Sequence, residues 1–404
     1  MKKVFMMAIA LMASSMTFAG DSDALKAILK SKDYAEAANL VKQNLGQLAD
    51  NAEKAAAYNH LVELAMNKVS NETGTITENQ MAVQMGTGKV KPYDTLGLAD
   101  NICNAIEAAI ECDKYDKMPN AKGKIKPKFE KNCARIWAVR SHLVNIGQEE
   151  ARKGNNAGVL KYWGMFTDSA ADPYFAAMDK TPEKEYAGQV AFFAGRYAFD
   201  AKDMARANKY FEIAKKDPTQ KADAENFQLY AMRSSLKNHA DSLAFVDQLK
   251  QMYAAEPEND AVFESLNGMY EGMKDKTAQT ALLDSHLAKY PNSFLALANK
   301  GLMAMNENNA EDAAKWLRKS ADVRSDNATI WYYLGVCLNV LQSDADGVKR
   351  DELKAKAVEA FDKAKELDPN KQVANWGYNR YQAYYGRYGE EDPKTKAAEA
   401  DMRN

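Results

Sequence analysis

Residues 331–338 read Trp-Tyr-Tyr-Leu-Gly-Val-Cys-Leu, and this stretch indicates more about the fold than any other. It is followed by Ala357, Phe361 and Ala364, which would share one face of a second helix, and by Pro369, which would end that helix. A glycine on one helix and an aromatic ring on the next allow the two backbones to approach closely. The stretch therefore predicts a helical hairpin.

The hairpin pattern recurs with a period of 34 residues. Leu297 precedes Trp331 by 34 positions, and Gly301 precedes Gly335 by the same number. A unit of this length cannot bury its apolar face alone, so stacked neighbours would share one continuous core. We therefore expect five hairpins over residues 186–369, and about ten extra residues, 342–351, between the two helices of the last one.

These positions resemble the tetratricopeptide repeat, in which Trp-x2-Leu-Gly-x2-Tyr is followed by Ala-x3-Phe and a closing Pro. The resemblance covers about half of the chain. It implies an all-α fold, a right-handed superhelical solenoid of helical hairpins with a terminal capping helix. It also implies that the first helix of each hairpin lines an inner groove that holds a protein or peptide partner.

Helical spacing of three and four residues selects the side chains expected on that groove. The candidates are Phe192, Arg196, Phe199, Phe227, Tyr230, Leu302, Met305, Tyr332 and Asn339. Most are aromatic or apolar, which suits a surface that anchors a peptide. The alternative is that the same stripe packs into the core, because an error of one residue in the register exchanges the two faces.

The first 19 residues have the pattern of a secretory signal peptide. Lys2 and Lys3 precede an apolar run, residues 4–12, and the small residues Thr17 and Ala19 flank the expected cleavage point. We therefore expect cleavage after Ala19 and a periplasmic or secreted product. No later segment is apolar enough to span a membrane.

Charge and motif content disfavour several function classes. The formal net charge is −2, from 54 basic and 56 acidic residues, which argues against a broadly basic nucleic-acid surface. The segment 86–89 resembles a phosphate loop, but Val83 and Val90 stand where that motif requires Gly and Ser or Thr. Four histidines are scattered singly, so no metal, cofactor or catalytic site is expected. They are His60, His142, His239 and His286.

The remaining segments complete the expected organisation. Residues 20–115 form an N-terminal helical region with an insertion loop, 71–96; residues 116–131 form a lysine-rich linker; and residues 132–185 form a degenerate repeat. Residues 370–404 form a capping helix and a tail. The linker has two interpretations, a solvated connection or a contact with an anionic lipid headgroup or cell-wall polymer.

Four cysteines are present, and Cys112 and Cys133 are candidates for a disulfide because they flank a 20-residue segment between two helices. Cys337 is expected to be a small buried residue. Together the observations favour an exported, non-catalytic scaffold that binds a protein or peptide. The alternative is an accessory enzyme or ligand-binding protein of the cell envelope that uses the 71–96 loop or the aromatic C-terminal helix.

Overall fold

The structure is a computed structural model that describes residues 21–86, 88, 90–120, 122–343 and 345–403. The expected signal peptide, residues 1–19, lies outside this part of the chain. The described residues contain nineteen α-helices and three short 3-10 helices, and no strand is found among them. The all-α prediction is therefore confirmed. The chain divides into two compact units, residues up to 231 and residues from 232.

The first unit is a series of helices that pack against one another in chain order. Its α-helices are α1 Asp23–Lys30, α2 Tyr34–Asn44, α3 Asn51–Gln84, α4 Thr95–Asp116, α5 Lys131–Val139, α6 His142–Arg152, α7 Asn156–Ala171, α8 Ala187–Asp200, α9 Met204–Ala214 and α10 Lys221–Ser234, in which the unit boundary falls. Its 3-10 helices are η1 Leu45–Gln47, η2 Pro173–Phe175 and η3 Thr181–Glu183.

The second unit is also built of helices that follow one another as hairpins, each with a first and a second helix. Its helices are α11 His239–Ala255, α12 Asp260–Gly272, α13 Lys276–Lys289, α14 Phe294–Asn306, α15 Ala310–Val323, α16 Ala328–Ser343, α17 Gly347–Leu367, α18 Gly377–Tyr388 and α19 Pro393–Arg403. Within residues 186–369, α8 packs with α9 in the first unit, and α12 with α13, α14 with α15 and α16 with α17 in the second. The architecture is that of tetratricopeptide-type helical hairpins.

Glycine brings the two helices of a hairpin together. A Cβ atom on Gly195 would lie 2.7 Å from Cε1 of Phe211, and one on Gly335 would lie 2.8 Å from Cε1 of Phe361. Gly301 meets a leucine of its second helix in the same way. Because both phenylalanine rings are fully buried, a larger residue than glycine has no room at these crossings.

The same contact occurs in a hairpin that lies outside the 34-residue register. A Cβ atom on Gly147 of α6 would lie 2.5 Å from Cδ1 of Trp163 on α7. The two residues are 16 positions apart, as are Gly195 and Phe211. The segment 132–185, expected to be a degenerate repeat, therefore contains a hairpin with the packing of the regular ones.

Three of the turns between paired helices share one backbone geometry. Lys202, Lys274 and Asn308 adopt φ angles of 63°, 58° and 60°, in the left-handed region that costs a non-glycine residue about 1–2 kcal/mol. In each turn the next residue caps the second helix, because its side chain accepts a backbone N–H from the first helical turn. These caps are Asp203, Asp275 and Asn309.

A buried ion pair lies in the core of the first unit. Arg140 is fully buried, and its guanidinium carbon lies 3.7 Å from the ring centroid of Trp137 and 4.3 Å from that of Phe166. It donates to the buried carboxylate of Glu183 and to the backbone oxygen of Phe166, the latter at 3.2 Å. Burial lowers the pKa of Arg140, and Glu183 opposes that shift by stabilising the cation.

The expected insertion loop over 71–96 is wrong for most of its length. Helix α3 continues through Gln84, so the connection to α4 is confined to residues 85–94. Thr73 and Thr77 sit within the helix because each hydroxyl donates to the carbonyl oxygen four residues earlier, at 2.9 Å. Gly74 is accommodated without a break in the helix.

Two further expectations near the C-terminus are corrected. Most of the ten extra residues of the last repeat lie in helices, because α16 ends at Ser343 and α17 begins at Gly347. The extra residues lengthen the two helices, so Gly335 and its partner Phe361 are 26 positions apart instead of 16. The expected tail after the capping helix also forms a helix, α19, which packs against α18.

Candidate functional site

Three aromatic side chains of the first unit form a cluster that reaches the surface. Phe199 lies on α8, and Phe227 and Tyr230 lie on α10. Their ring centroids are 5.7 Å apart for Phe199 and Phe227, 6.0 Å for Phe199 and Tyr230, and 5.6 Å for Phe227 and Tyr230. Each pair adopts the edge-to-face geometry that aromatic rings favour. We call these three residues the aromatic patch.

The patch is anchored in the core below it. The ring of Phe227 lies 5.5 Å from the fully buried ring of Phe211, which packs against Gly195. Phe199 and Phe227 are half-buried, whereas 58% of Tyr230 is exposed. Because the rings below it are fixed by packing, the exposed face of Tyr230 is held in position without its own burial.

Two cations flank the aromatic patch. The guanidinium carbon of Arg196 lies 5.1 Å from the ring centroid of Phe227, and the ammonium nitrogen of Lys202 lies 5.4 Å from that of Phe199. Both distances are within the range of a cation–π interaction. The surface therefore combines apolar rings with positive charge. Sequence analysis missed Lys202, although it lies three positions after Phe199 and would have been found by extending the helical spacing past α8.

Phe192 does not belong to the exposed surface. Only 9% of this residue is exposed, and its ring lies 6.2 Å from both Phe211 and Phe227. Its position on α8 lies one turn before Arg196, at a point where α9 and α10 cover the helix. The expectation that Phe192 lines an open groove is therefore wrong, and it packs beneath the patch.

The groove candidates of the second unit are only partly accessible. Leu302 and Met305 of α14 are half-buried, as are Tyr332 and Asn339 of α16. The side-chain amide of Asn379 on α18 donates to the hydroxyl oxygen of Tyr332 at 3.1 Å, and Asn339 donates to the backbone oxygen of Asn379 at 3.5 Å. Helix α18 thus occupies the polar groups that Tyr332 and Asn339 would offer to a partner.

A polar contact also joins first helices in the second unit. Asn299 of α14 donates to the carboxylate of Glu264 on α12 at 2.5 Å. Burial raises the pKa of Glu264, and the nearby Asp260 and Glu271 act in the same direction, while the Asn299 hydrogen bond opposes them. This face of the second unit is therefore bridged by its own side chains.

The candidate disulfide is absent, because Cys112 and Cys133 are both free thiols. The Cys112 thiol donates to the backbone oxygen of Ala55 at 3.3 Å, and the Cys133 thiol donates to that of Tyr174 at 3.2 Å. Burial raises the pKa of Cys112 to about 12 and that of Cys337 to about 11, so neither is a thiolate at neutral pH. As expected, Cys337 is a small buried residue.

In the part of the chain that the structure describes, no three or more His, Cys, Asp and Glu side chains are grouped as a metal site would require. His286 is buried, with Nδ1 2.7 Å from the hydroxyl oxygen of Tyr253 and Nε2 3.1 Å from Oγ of Ser293. It is therefore a packing residue. None of the described helices has both the length and the apolar character needed to cross a membrane.

The aromatic C-terminal helix is mainly a cover for the last repeat. Trp376, immediately before α18, is buried, and its indole N–H donates to the backbone oxygen of Asp368 at 2.7 Å. Arg380 of α18 bridges Asp362 of α17 and Asp401 of α19, at 2.7 and 2.8 Å. These contacts fix the helix, although its remaining tyrosines are partly exposed. The partly exposed tyrosines are Tyr378, Tyr381, Tyr385 and Tyr388.

The connection between α3 and α4 is held by side chains of α3. The Asn79 side chain accepts the backbone N–H of Lys91 at 2.7 Å and donates to its carbonyl oxygen at 2.8 Å. Glu72 accepts the backbone N–H of Asp94 at 2.9 Å. The alternative hypothesis was an enzyme or ligand-binding site in the 71–96 loop. These contacts bring no catalytic or metal-binding side chains together there.

Comparison with known proteins identifies similar folds at low identity. No family model matches the chain, and no curated protein matches it. Among solved structures, a tetratricopeptide repeat protein from Parabacteroides merdae is 9% identical with a TM-score of 0.34, covering 78% of this chain and 99% of that one. A tetratricopeptide repeat protein from Bacteroides fragilis is 17% identical with a TM-score of 0.28, covering 60% and 97%. The hairpins of this chain define its fold independently of these similarities.

Proposed function

We propose that this protein is an exported, non-catalytic scaffold that holds a peptide or protein segment on the aromatic patch of its first unit. The observation that carries the proposal is the environment of Tyr230. Its ring is 58% exposed, yet it packs edge-to-face against Phe199 and Phe227. A pre-ordered aromatic ring on the surface offers a partner apolar area at little cost in conformational entropy.

The charges around the patch indicate the chemistry of the partner. Arg196 and Lys202 place positive charge beside the rings. A segment with an apolar anchor residue and a nearby carboxylate would satisfy both features, because the anchor packs on the rings and the carboxylate pairs with a cation. We therefore propose an acidic, aromatic or aliphatic peptide segment as the ligand.

Site-specific photo-crosslinking tests this function. In one variant of the full chain, expressed in its own organism, benzoylphenylalanine would replace Tyr230. In a second variant of the same chain it would replace Leu29. Leu29 is a matched control because it is 36% exposed on α1 of the same unit and lies outside the patch. We expect a discrete protein adduct from position 230 alone. Equal adducts from both positions, or none from position 230, would contradict the proposal.

A binding measurement then separates recognition from folding. Against the peptide mapped in the adduct, Tyr230→Ala should lose at least about 2 kcal/mol, or about 30-fold in affinity, which is typical of an interface anchor. The thermal midpoint should change little, because most of the side chain is already in solvent. A sharp fall in the midpoint with unchanged affinity would show that Tyr230 is structural.

Export is proposed from the pattern of residues 1–19 and has its own test. Fractionation of the native cell and mass measurement of the intact protein should find a periplasmic or secreted chain that begins at Gly20. A cytoplasmic chain that retains residues 1–19 would refute export and leave the aromatic patch untouched.

A further inference from the structure

A second surface of the first unit carries a strong local charge that the proposed function does not use. Residues 114–131 contain seven lysines and two carboxylates, whereas the whole chain has a net charge of −2. Most of these lysines lie in the connection between α4 and α5. A positive region of this size on a weakly negative chain attracts anions locally.

The connection is held in place by two side chains. Asp116 accepts the backbone N–H groups of Lys128 and Phe129 at 2.7 and 2.9 Å. Asn120 accepts the backbone N–H of Lys124 at 3.1 Å and also donates its own backbone N–H to the Lys124 carbonyl oxygen at 3.0 Å. The lysines are therefore presented on an ordered backbone, which reduces the entropy lost on binding.

Three of the lysines line one concavity. Lys124, Lys126 and Lys128 surround a shallow pocket whose wall includes Tyr115 and Phe129. In an extended segment alternate residues point to the same side, about 6.6 Å apart. Among the described residues, no carboxylate lies within ion-pair distance of these three ammonium groups. We call Lys124, Lys126 and Lys128 the lysine triad.

One carboxylate also lines the pocket, and its negative charge would oppose the binding of an anion. Asp116 contributes to the wall, but one of its oxygens accepts two backbone N–H groups. Those donors partly balance its charge, and three lysines line the same pocket. Two further lysines are close, since Lys54 and Lys114 lie 5.4 and 5.6 Å from the Tyr115 ring centroid, and the second of them also pairs with Glu111 at 3.5 Å. The local charge is therefore positive.

We propose that the lysine triad binds a ligand that carries several phosphate groups. Three ammonium groups around one concavity match a multivalent anion better than a single carboxylate, and lysine binds phosphate as a compact point charge. A soluble oligophosphate and the phosphates of an anionic lipid surface share this chemistry. The site is separate from the aromatic patch, so neither proposal depends on the other.

Calorimetric titration of the full chain with inorganic tripolyphosphate tests the site. The variant carries Lys124→Gln, Lys126→Gln and Lys128→Gln together. The matched control carries Lys30→Gln, Lys42→Gln and Lys68→Gln, which remove the same charge from exposed positions elsewhere in the first unit. We expect the triad variant to bind at least about tenfold more weakly and the control to bind as the wild type does. Added salt should weaken wild-type binding.

Vesicle flotation distinguishes the two sources of phosphate. Vesicles of phosphatidylcholine alone are compared with vesicles that contain phosphatidylglycerol. Flotation with the anionic vesicles that is lost in the triad variant assigns the site to a lipid surface, and tripolyphosphate binding without flotation assigns it to a soluble ligand. Binding to neither probe, or an equal loss in the Lys30, Lys42 and Lys68 control, would overturn the proposal.

Discussion

The replacement of Gly335 by alanine tests the packing rule on which the fold rests. A Cβ atom there would lie 2.8 Å from both Cε1 and Cζ of Phe361, and 2.9 Å from Cδ1. Carbon atoms in contact are normally about 3.5–4.0 Å apart, so the fully buried ring would have to retreat by about 0.7 Å or more. Overpacking of this kind costs about 1–3 kcal/mol. Alanine regains about 1 kcal/mol of helix propensity over glycine, so we expect a net loss of up to about 2 kcal/mol.

Gly268→Ala is the matched control in the same unit. Gly268 also lies inside a helix, α12, but a Cβ atom there would meet only a terminal nitrogen of Arg233, at 3.6 Å. With ordinary contact distances the helix propensity dominates, so this variant should gain about 0.5–1 kcal/mol. Urea denaturation followed by circular dichroism gives both values. If Gly335→Ala stabilises the protein as Gly268→Ala does, glycine is not required at the crossing and the packing rule is refuted.

Three further predictions concern buried polar groups. Arg140→Met should cost about 3–5 kcal/mol in urea denaturation because it leaves Glu183 buried without its partner, and adding Glu183→Gln should recover part of that loss. Burial lowers the pKa of His286 and of His142, so wild-type stability should fall as pH drops through about 6.5, and His286→Gln should reduce that slope in the denaturation midpoints. Burial raises the pKa of Glu264, so the ionised side chain opposes folding at pH values above the ordinary pKa of glutamate. Glu264→Gln should therefore stabilise the protein at neutral pH more than at pH 4.

The repeat array was predictable from sequence because its signal is a contact with a fixed spacing. Gly195 and Phe211 are 16 positions apart, as are Gly301 and Leu317, and Gly301 and Gly335 are 34 positions apart. The hairpin of Gly147 and Trp163 keeps the contact but breaks the period, so the sequence predicts only a degenerate repeat there. The last repeat does the reverse, because Gly335 keeps the period while its contact with Phe361 spans 26 positions.

Two segments that were predicted to lie outside helices are helical in the structure, the 71–84 segment and most of the extra residues of the last repeat. The 71–84 segment contains Gly74 and several threonines, which disfavour helix, yet threonine hydroxyls can bond to the preceding turn while α3 packs along α4. The extra residues of the last repeat lengthened both helices, which a period-based alignment reads as a loop. In both cases packing against a neighbouring helix outweighed the local preference.

The candidate groove was only partly predictable, because the exposure of a side chain depends on which side chains of the neighbouring helix cover it. Spacing placed Phe192 and Tyr230 on the same surface, but the rings of Phe211 and Phe227 cover the first while little covers the second. A pattern of three and four identifies a helix face, but it gives no information on the depth of a side chain within that face.

The candidate groove residues have different surroundings in the two units. This difference is the reason for placing the proposed binding function in the first unit. In the second unit, Asn379 bonds to Tyr332, and Asn299 bonds to Glu264, so polar groups on the first helices are satisfied by neighbours. In the first unit, the corresponding surface presents Tyr230, flanked by Arg196 over Phe227. A partner that bound the second unit would have to replace existing hydrogen bonds, at a cost of about 0.5–1.5 kcal/mol each. The aromatic patch instead offers a ring face whose position is already set by Phe199 and Phe227, and for this reason we place the proposed binding function in the first unit.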